Sequence, residues 1–277
     1  RPFTLRRLKS DVASQLPPKT SVVVEVSLSP EERKLYNAVR LAALTGLSPD
    51  PKKPGADVGR FQVLAALTRL RQLACHPRLH DPQSPVASSK LGRLREIVTQ
   101  LRSQGHRALI FSQFTSHLKL VQEAMNEDGV HYRYLDGSTS ERRRRMEVDA
   151  FQAGEGEVFL ISLRAGGSGL NLTSASYVIH LDPWWNPAVE DQASDRAHRI
   201  GQQEPVTVYR LVARGTIEEA IIGMHEQKRA LVADLLEGTG GSAGLSPDEL
   251  IQLMSSGPEE ADDAEPHEDN EGAGALL

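Results

Sequence analysis

The sequence predicts an α/β protein built on a parallel sheet with helices on both faces. Three observations carry this. From Ser88 onward, short apolar runs alternate with longer amphipathic stretches, and strands alternating with helices of this length imply parallel pairing. Hydrophobic residues at 39% and charged residues at 25% describe a soluble globular chain, and 277 residues suffice for one or two domains with a full core. Segments rich in Gly, Ser, Thr and Arg follow the expected strands, where sheets of this kind bind ligands.

The elements follow in order. Arg1–Thr20 carries five Lys/Arg and one Asp, and Pro17-Pro18 ends any helix before it. Ser21–Leu28 alternates valines as a strand does. Ser29-Pro30-Glu31-Glu32 reads as a helix start, with a capping serine, a first-turn proline and acids at the positive end of the dipole. Leu35, Tyr36, Val39 and Leu44 follow at helical spacing. Leu47–Gly59 is a Pro/Gly-rich loop. Phe61–Cys75 is a second amphipathic helix, stopped before Pro77, so residues 28–80 form a helical pair. Then come helix Lys90–Gln104, strand Ala108–Ser112, helix Thr115–Glu127, strand Tyr132–Leu135, helix Ser140–Ala153 and strand Val158–Ser162. Strand Tyr177–Leu181 leads through Asp182–Pro187 to helix Ala188–Arg199. Strand Val206–Val212 and a long helix, Thr216–Glu237, follow. Gly238–Gly244 is a linker, and Leu245–Ser256 allows one short helix.

Composition excludes several classes. The sequence has no run of about 18 apolar residues that could span a membrane, and no signal peptide is expected. The chain opens on Arg1, not Met, and is expected to be a piece of a longer protein. Cys75 is the only cysteine, which excludes an internal disulfide and any multi-cysteine metal site. The nine histidines lack ligand spacing, so no metal is expected. Net charge is −5, but Pro258–Leu277 holds eight acids and no Lys or Arg. Without that tail, 32 basic residues stand against 29 acidic ones, a net of +3. The tail itself is too charged to fold alone.

Four segments sit where strands should end. In Phe111–Thr115, hydroxyl and amide groups suit phosphate contact, or Thr115 caps a helix. In Leu135–Ser140, backbone amides after a glycine and hydroxyls at a helix start make an anion site, or an ordinary capped turn. Leu163–Leu172 has three glycines in four positions, which allow close approach of a ligand or only a flexible loop. Gln192–Gln202 reads QASDRAHRIGQ, two arginines three apart on a predicted helix. A forked guanidinium suits a phosphoryl group in transfer; a solvated helix face is the ordinary alternative. Just before it, Trp184 and Trp185 stack on a base or pack beneath the arginine helix. The run Glu141–Arg145 is a basic helix start, either solvated or tracking phosphates.

In this order and spacing, residues 108–118 (ALIFSQFTSHL), 134–140 (YLDGSTS), 160–187 (LISLRAGGSGLNLTSASYVIHLDPWWNP) and 192–212 (QASDRAHRIGQQEPVTVYRLV) resemble the second RecA-like lobe of Swi/Snf-type ATPases, within the superfamily-two helicases. The resemblance implies an inter-lobe linker at 1–27, a helical protrusion at 28–87, a RecA-like helicase C-terminal lobe at 88–237, and a Gly-rich linker with an acidic disordered tail at 238–277. It implies the C-terminal half of a DNA-stimulated ATPase that moves along duplex DNA without parting its strands and remodels nucleoprotein complexes. Arg196 and Arg199 are the implied arginine fingers, with Gln192, Gly167, Gly169 and Asp195 on the nucleotide side. Ser112, Gln113, Gly137, Ser138, Thr139, Arg164 and Asn171 would track a DNA strand, and Trp185 would couple strand to motor. Leu163 stands where many relatives carry threonine, so the contact expected there falls to Ser162 or Arg164, or is absent.

ATP and Mg2+ would be held mainly by a first lobe, because no G-x-x-x-x-G-K-[ST] and no Asp-Glu-x-His occurs in this sequence. The chain alone is therefore expected to be inactive. The implied partners are double-stranded DNA, the first RecA-like lobe, and a nucleoprotein complex or polymerase, with no membrane. The implied location is cytoplasmic and nucleoid-associated in a bacterium, or nuclear in a eukaryote. Two other readings stand beside this one: a separately encoded nucleic-acid or partner-binding lobe that never meets ATP, and a strand-separating helicase.

Overall fold

Six strands form one parallel sheet in a computed structural model that describes residues 16–47, 60–165, 170–224, 251, 252, 254 and 255. The strands are β1 (Lys19–Val26), β2 (Ala108–Ser112), β3 (Tyr132–Leu135), β4 (Val158–Ser162), β5 (Tyr177–His180) and β6 (Val206–Ala213). Their order across the sheet is β1-β6-β5-β2-β4-β3. The helices are α1 (Pro30–Leu47), α2 (Arg60–Cys75), α3 (Ser89–Ser103), α4 (Thr115–Glu127), α5 (Glu141–Gln152) and α6 (Pro187–Ser194), with a helical segment, α7, at 217–224. The parallel α/β sheet expected from the sequence is present.

Both faces of the sheet are covered. Ile110, Leu160, Ile179 and Leu211 face one way, against Leu94 and Val98 of α3 and Leu118, Val121 and Met125 of α4. Leu109, Phe111, Phe159, Ile161, Val178 and Val208 face the other way, against Phe151 of α5 and Ala193. Burying each large side chain contributes roughly 1.5–3 kcal/mol, and β2 and β4 are buried along their whole lengths.

β1 lies within the stretch assigned by resemblance to an inter-lobe link. It pairs with β6 from Lys19 to Val26 and forms an edge of the sheet. The α1–α2 pair is attached to this edge. Ser29 and Glu32 make a reciprocal cap, each bonding the other's backbone N–H, which fixes the start of α1. Arg33 donates to the carbonyls of Arg214 and Gly215; Gly215 has φ +64, and a Cβ there would come within 2.7 Å of Arg33 Nη1. Tyr36, Leu67 and Leu70 bury against Ala213, Ile217 and Ile221. Met254 joins the same cluster, and Arg40 holds the carbonyls of Met254 and Ser255 at 2.7 Å.

Three local expectations are corrected. Thr115 does not cap α4: Phe114 holds the cap position without a side-chain bond, and Thr115 is exposed. Strand β5 ends one residue earlier than expected. The helix predicted over 188–199 stops at Ser194, so Arg196 and Arg199 lie in turns. Past Ser194 the backbone tightens into i→i−3 turns, with Arg196 N on Ala193 O at 3.2 Å and Ala197 N on Ser194 O at 3.1 Å; farther on, Leu172 N and the Gln202 side chain take the Arg196 and Ala197 carbonyls. The Leu47–Gly59 loop, the helix beyond residue 224, the Gly238–Gly244 linker and the acidic tail lie outside the described residues.

Candidate nucleotide and nucleic-acid interface

The carboxyl ends of β2, β3, β4 and β5 lead into the four segments singled out above. At the end of β2, Ser112 is buried. Its hydroxyl donates to Asp182 and accepts from Phe114 N at 3.1 Å, while Gln113 N donates to the second oxygen of Asp182 at 3.1 Å. The Ser112 hydroxyl, expected to face a strand, is committed inward here and shapes the turn. Gln113 is half-buried, and its Nε2 has no hydrogen-bond partner among the described residues.

Arg71 of α2 closes this network. It is buried, donates through Nη2 to Pro183 O at 2.6 Å, and lies 5.1 Å from the Trp185 ring, 5.6 Å from Trp184 and 5.7 Å from Phe114. Trp185 packs on the helical pair and Trp184 on the sheet. Glu190 and Arg210, both buried, pair at 2.7 Å, and Glu190 also accepts from Trp184 N at 2.7 Å. The tryptophan loop is therefore bolted to both the helical pair and the sheet.

At the end of β3, Asp136 organises the turn. Its Oδ1 accepts from Ser138 N at 2.9 Å and from the Ser138 hydroxyl at 2.7 Å, and these bonds hold the carboxyl below its usual range. Thr139 N bonds to Asp136 O at 3.2 Å. The amides of Ser138 and Thr139 are thus taken by the chain's own oxygens, the capped turn that stood as the alternative to an anion site. Ser138 and Gly137 are exposed, and a Cβ on Gly137 would meet nothing within 4 Å.

At the end of β4, Leu163 and Ala165 are buried in the apolar core, and Leu170 and Leu172 join them there. Ser162 is buried while Arg164 is exposed and lies 5.9 Å from Trp184, so of the two replacements for the missing threonine only Arg164 faces out. Asn171 is exposed beside a cavity of about 420 Å³ lined by Glu141, Arg144, Arg145 and Gln152. Gly167 and Gly169 lie outside the described residues.

The arginine pair is the most unusual feature electrostatically. Arg196 is only 4% exposed, its guanidinium lies 5.7 Å from the Phe111 ring, and its Nη1 has no hydrogen-bond partner among the described residues. Burial pushes it down to about 10, with Arg199 and Arg144 adding like charge. Arg199 is half-buried and donates to Leu170 O at 3.3 Å. Gln192 is exposed on α6, and Asp195 pairs with Lys19 of β1 at 3.0 Å. A buried guanidinium with like-charged neighbours and a spare donor is costly unless an anion joins it.

The chain matches the helicase conserved C-terminal domain over residues 89–201 and the SNF2-related domain over residues 1–79. It is 30% identical to the Sulfolobus solfataricus SWI2/SNF2 ATPase C-terminal domain, covering 85% of this chain and 97% of that one, with a TM-score of 0.64. This chain belongs to the SWI2/SNF2 family. The S. solfataricus SWI2/SNF2 ATPase core in complex with dsDNA is 31% identical over 92% of this chain and 52% of that one, with a TM-score of 0.65. A relative from Mus musculus, the SWI/SNF-related matrix-associated actin-dependent regulator of chromatin subfamily A member 1, is 35% identical over 274 residues, 93% of this chain and 26% of its own length. The chain spans about a quarter of the length of the curated relatives it matches.

Within this SWI2/SNF2 lobe, sequence reasoning missed Arg71, Asp182, Arg144 and the Glu190–Arg210 pair. Arg144 had a signal: Val148 and Phe151 follow at four and seven residues, so residue 144 falls on the inner face of α5. Arg143 and Arg145 point outward and meet Glu147 and Glu141 at 3.5 Å. Asp182 carried no motif beyond its place after a strand.

Beneath the interface lies a second buried polar cluster. Lys90 pairs with Glu218, donates to Leu181 O at 3.1 Å, and sits beside Cys75, whose Sγ is 3.7 Å from Glu218. Burial pushes the Cys75 thiol up and His117 well below its usual range, so both are neutral. Cys75, His117 and Asp182 bring ligand-type atoms within 4.8 Å of one another. Yet two cations, Lys90 and Arg71, already stand against Glu218 and Asp182, and both Asp182 oxygens hold protein donors. The cluster balances its charge without a metal and serves to tie α2, α3, α4 and α7 to the end of β5.

Proposed function

We propose that this chain is the second lobe of an ATP-dependent translocase on double-stranded DNA, supplying an arginine pair to an ATP site whose other half is a first RecA-like lobe. The observation that carries the reading is Arg196, a buried guanidinium with two arginines beside it and, among the described residues, no hydrogen-bond partner for its Nη1 and no carboxylate bonded to it. A phosphoryl group in transfer supplies the missing anion. Arg196 presents Nη1 to that charge, and Arg199, now on a backbone carbonyl, is close enough to join it. Arg144 Nε is a further buried donor without a hydrogen-bond partner among the described residues, 3.8 Å from a Glu141 carboxylate oxygen. These unpartnered donors fit a polyphosphate; they do not fit Mg2+, and Asp195 is engaged by Lys19. The metal therefore belongs to the first lobe.

The DNA-facing surface in this reading consists of Gln113, Gly137, Ser138, Thr139, Arg164 and Asn171 around the glycine-rich loop, with Trp185 linking it to the helical pair. The similarity to the S. solfataricus core in complex with dsDNA supports duplex DNA as the partner. In this reading residues 1–27, 28–87 and 88–237 serve as link, protrusion and lobe, and β1 joins the link to the sheet.

Purified alone, the chain is expected to release no phosphate from ATP, with or without DNA. Joined to a first lobe carrying a Walker lysine and Asp-Glu-x-His, it is expected to show DNA-stimulated hydrolysis. Phosphate release that scales with the concentration of the isolated chain would overturn the assignment of the ATP grip to another lobe, and a joined protein indifferent to DNA would favour the partner-binding reading.

A further inference from the structure

The backbone of Arg196 is pinned: its amide donates to Ala193 O at 3.2 Å and its carbonyl accepts from Leu172 N at 3.0 Å. Its long side chain carries far more rotamer freedom, so the place of the guanidinium is set by what it rests on. It rests on the buried Phe111 ring, 5.7 Å from the centroid. Phe111 of β2 and His180 of β5 are partners in register on neighbouring parallel strands, and their rings stack with centroids 5.5 Å apart and planes 20° from parallel. His180 is buried, and its Nε2 meets Ser194 Oγ at 2.9 Å. Ser194 gives its one hydroxyl proton to Glu190 O at 3.0 Å, so the imidazole donates to Ser194 and is the Nε2–H tautomer. Burial pushes His180 down to about 4 against the opposing pull of Glu190, and Arg210, Arg196 and Lys19 add like charge, so the ring is neutral. The contacts close a circuit. Arg196 meets Phe111, Phe111 meets His180, and His180 meets Ser194, two residues before Arg196 in the chain.

We propose that His180 is a positioning residue: through the Phe111 ring it seats the Arg196 guanidinium, and through Ser194 it fixes that seat to the turn that carries the arginine. This rests on the phosphate role proposed for Arg196 above. The reasoning is physical. A carboxylate would hold a guanidinium firmly but would also neutralise the charge that a phosphoryl group needs. An aromatic face attracts the cation through the ring quadrupole, most strongly where water is excluded, and leaves both the charge and the in-plane N–H donors available. The imidazole braces that face from the next strand. Being neutral, it adds ring contact without setting a second cation against Arg196. A misplacement of about 1 Å at a reacting centre costs about 100-fold in rate, so the brace matters to turnover although it touches no substrate.

The test uses the two-lobe protein with DNA at saturation and reads ATP turnover beside nucleotide affinity. His180→Ala is expected to lower turnover about tenfold, the scale of one desolvated cation–π contact, with affinity changed less than about twofold. His180→Phe keeps a ring against Phe111 and is expected to recover most of the turnover. His180→Gln keeps an N–H toward Ser194 but no ring, and is expected to stay low. In an Arg196→Ala background, His180→Ala should lower turnover no further, because the seat then has nothing to position. Unchanged turnover in His180→Ala, a Gln variant as active as the Phe variant, or a further tenfold fall in the Arg196→Ala background would overturn the proposal and leave His180 a packing residue. Should His180→Ala fail to fold, the comparison of Phe with Gln decides by itself. Arg196→Ala alone separates the two readings. Retained turnover there overturns the role of Arg196, whereas lost turnover beside a fully active His180→Ala overturns only the seat.

Discussion

Replacing Arg71 with alanine tests how the helical pair is coupled to the interface. The side chain is buried and meets a carbonyl at 2.6 Å, three aromatic rings between 5.1 and 5.7 Å, and the Asp182 carboxylate as its leading charge partner. A hydrogen bond to a charged group contributes about 1.5–3 kcal/mol. Removing one partner from a buried charged set costs about 3–5 kcal/mol, because the remaining charge is stranded. These effects overlap, and the expected loss is about 4 kcal/mol, or a fall in Tm of about 8–16 °C for a domain of this size. Its pH dependence carries a sign. Burial raises the Asp182 carboxyl above its usual range in the folded chain, and Arg71 is the foremost group opposing that rise. A carboxyl raised in the folded state binds its proton more tightly folded than unfolded. Its contribution is therefore present at low pH and lost as pH rises through the folded value. Without Arg71 that value climbs further, so Arg71→Ala should lose more stability near about pH 8 than near about pH 5. Thermal or urea melts of wild type and variant at the two pH values measure this directly. A penalty equal at both pH values would show that Arg71 does not balance Asp182.

DNA binding by the isolated lobe should be weak, independent of sequence and steeply dependent on salt. With a net of +3 outside the tail, few phosphates are neutralised, and the slope of log affinity against log salt should lie between about −2 and −4; fluorescence anisotropy on unrelated duplexes checks it, and affinity indifferent to salt refutes it. Exposed Arg143 and Arg145 changed to alanine should flatten that slope. The acidic tail follows Met254 and Ser255, whose carbonyls Arg40 holds, and its eight acids are expected to compete with DNA for basic surface. Deleting Pro258–Leu277 should tighten binding at low salt and change little at high salt; unchanged low-salt affinity makes the tail a solubilising extension.

Local periodicity and strand-end chemistry made much of this lobe legible. Strands β2, β3 and β4 and helix α4 fall where apolar runs and turn signals put them, because those segments are decided by short-range pattern. The end of α6 was not legible, since the apolar spacing continues while the backbone turns to i→i−3 bonds after Ser194, and the Arg196 carbonyl in that turn is taken by Leu172, which is remote in sequence. Ser112 illustrates a second limit. A hydroxyl at a strand end looks available in sequence, and only the crossing of β5 brings Asp182 over to claim it. Arg71 is a third case, as its cage of Phe114, Trp184 and Trp185 is assembled from segments far apart in the chain. Arg144 differs from these. Its inward position followed from helical spacing, but a run of four arginines hid the one member that mattered.

The claim that Arg196 serves a phosphoryl group in transfer is tested most directly by turnover and nucleotide affinity, measured together in the two-lobe protein with DNA at saturation. Arg196→Ala should cut turnover by several hundred-fold or more while nucleotide affinity falls far less, since the guanidinium acts mainly on charge that develops in the transition state. Arg196→Lys should not rescue, because an ammonium lacks the fork. An alanine variant that retains more than about a tenth of wild-type turnover, or one in which lysine restores it, would contradict the account.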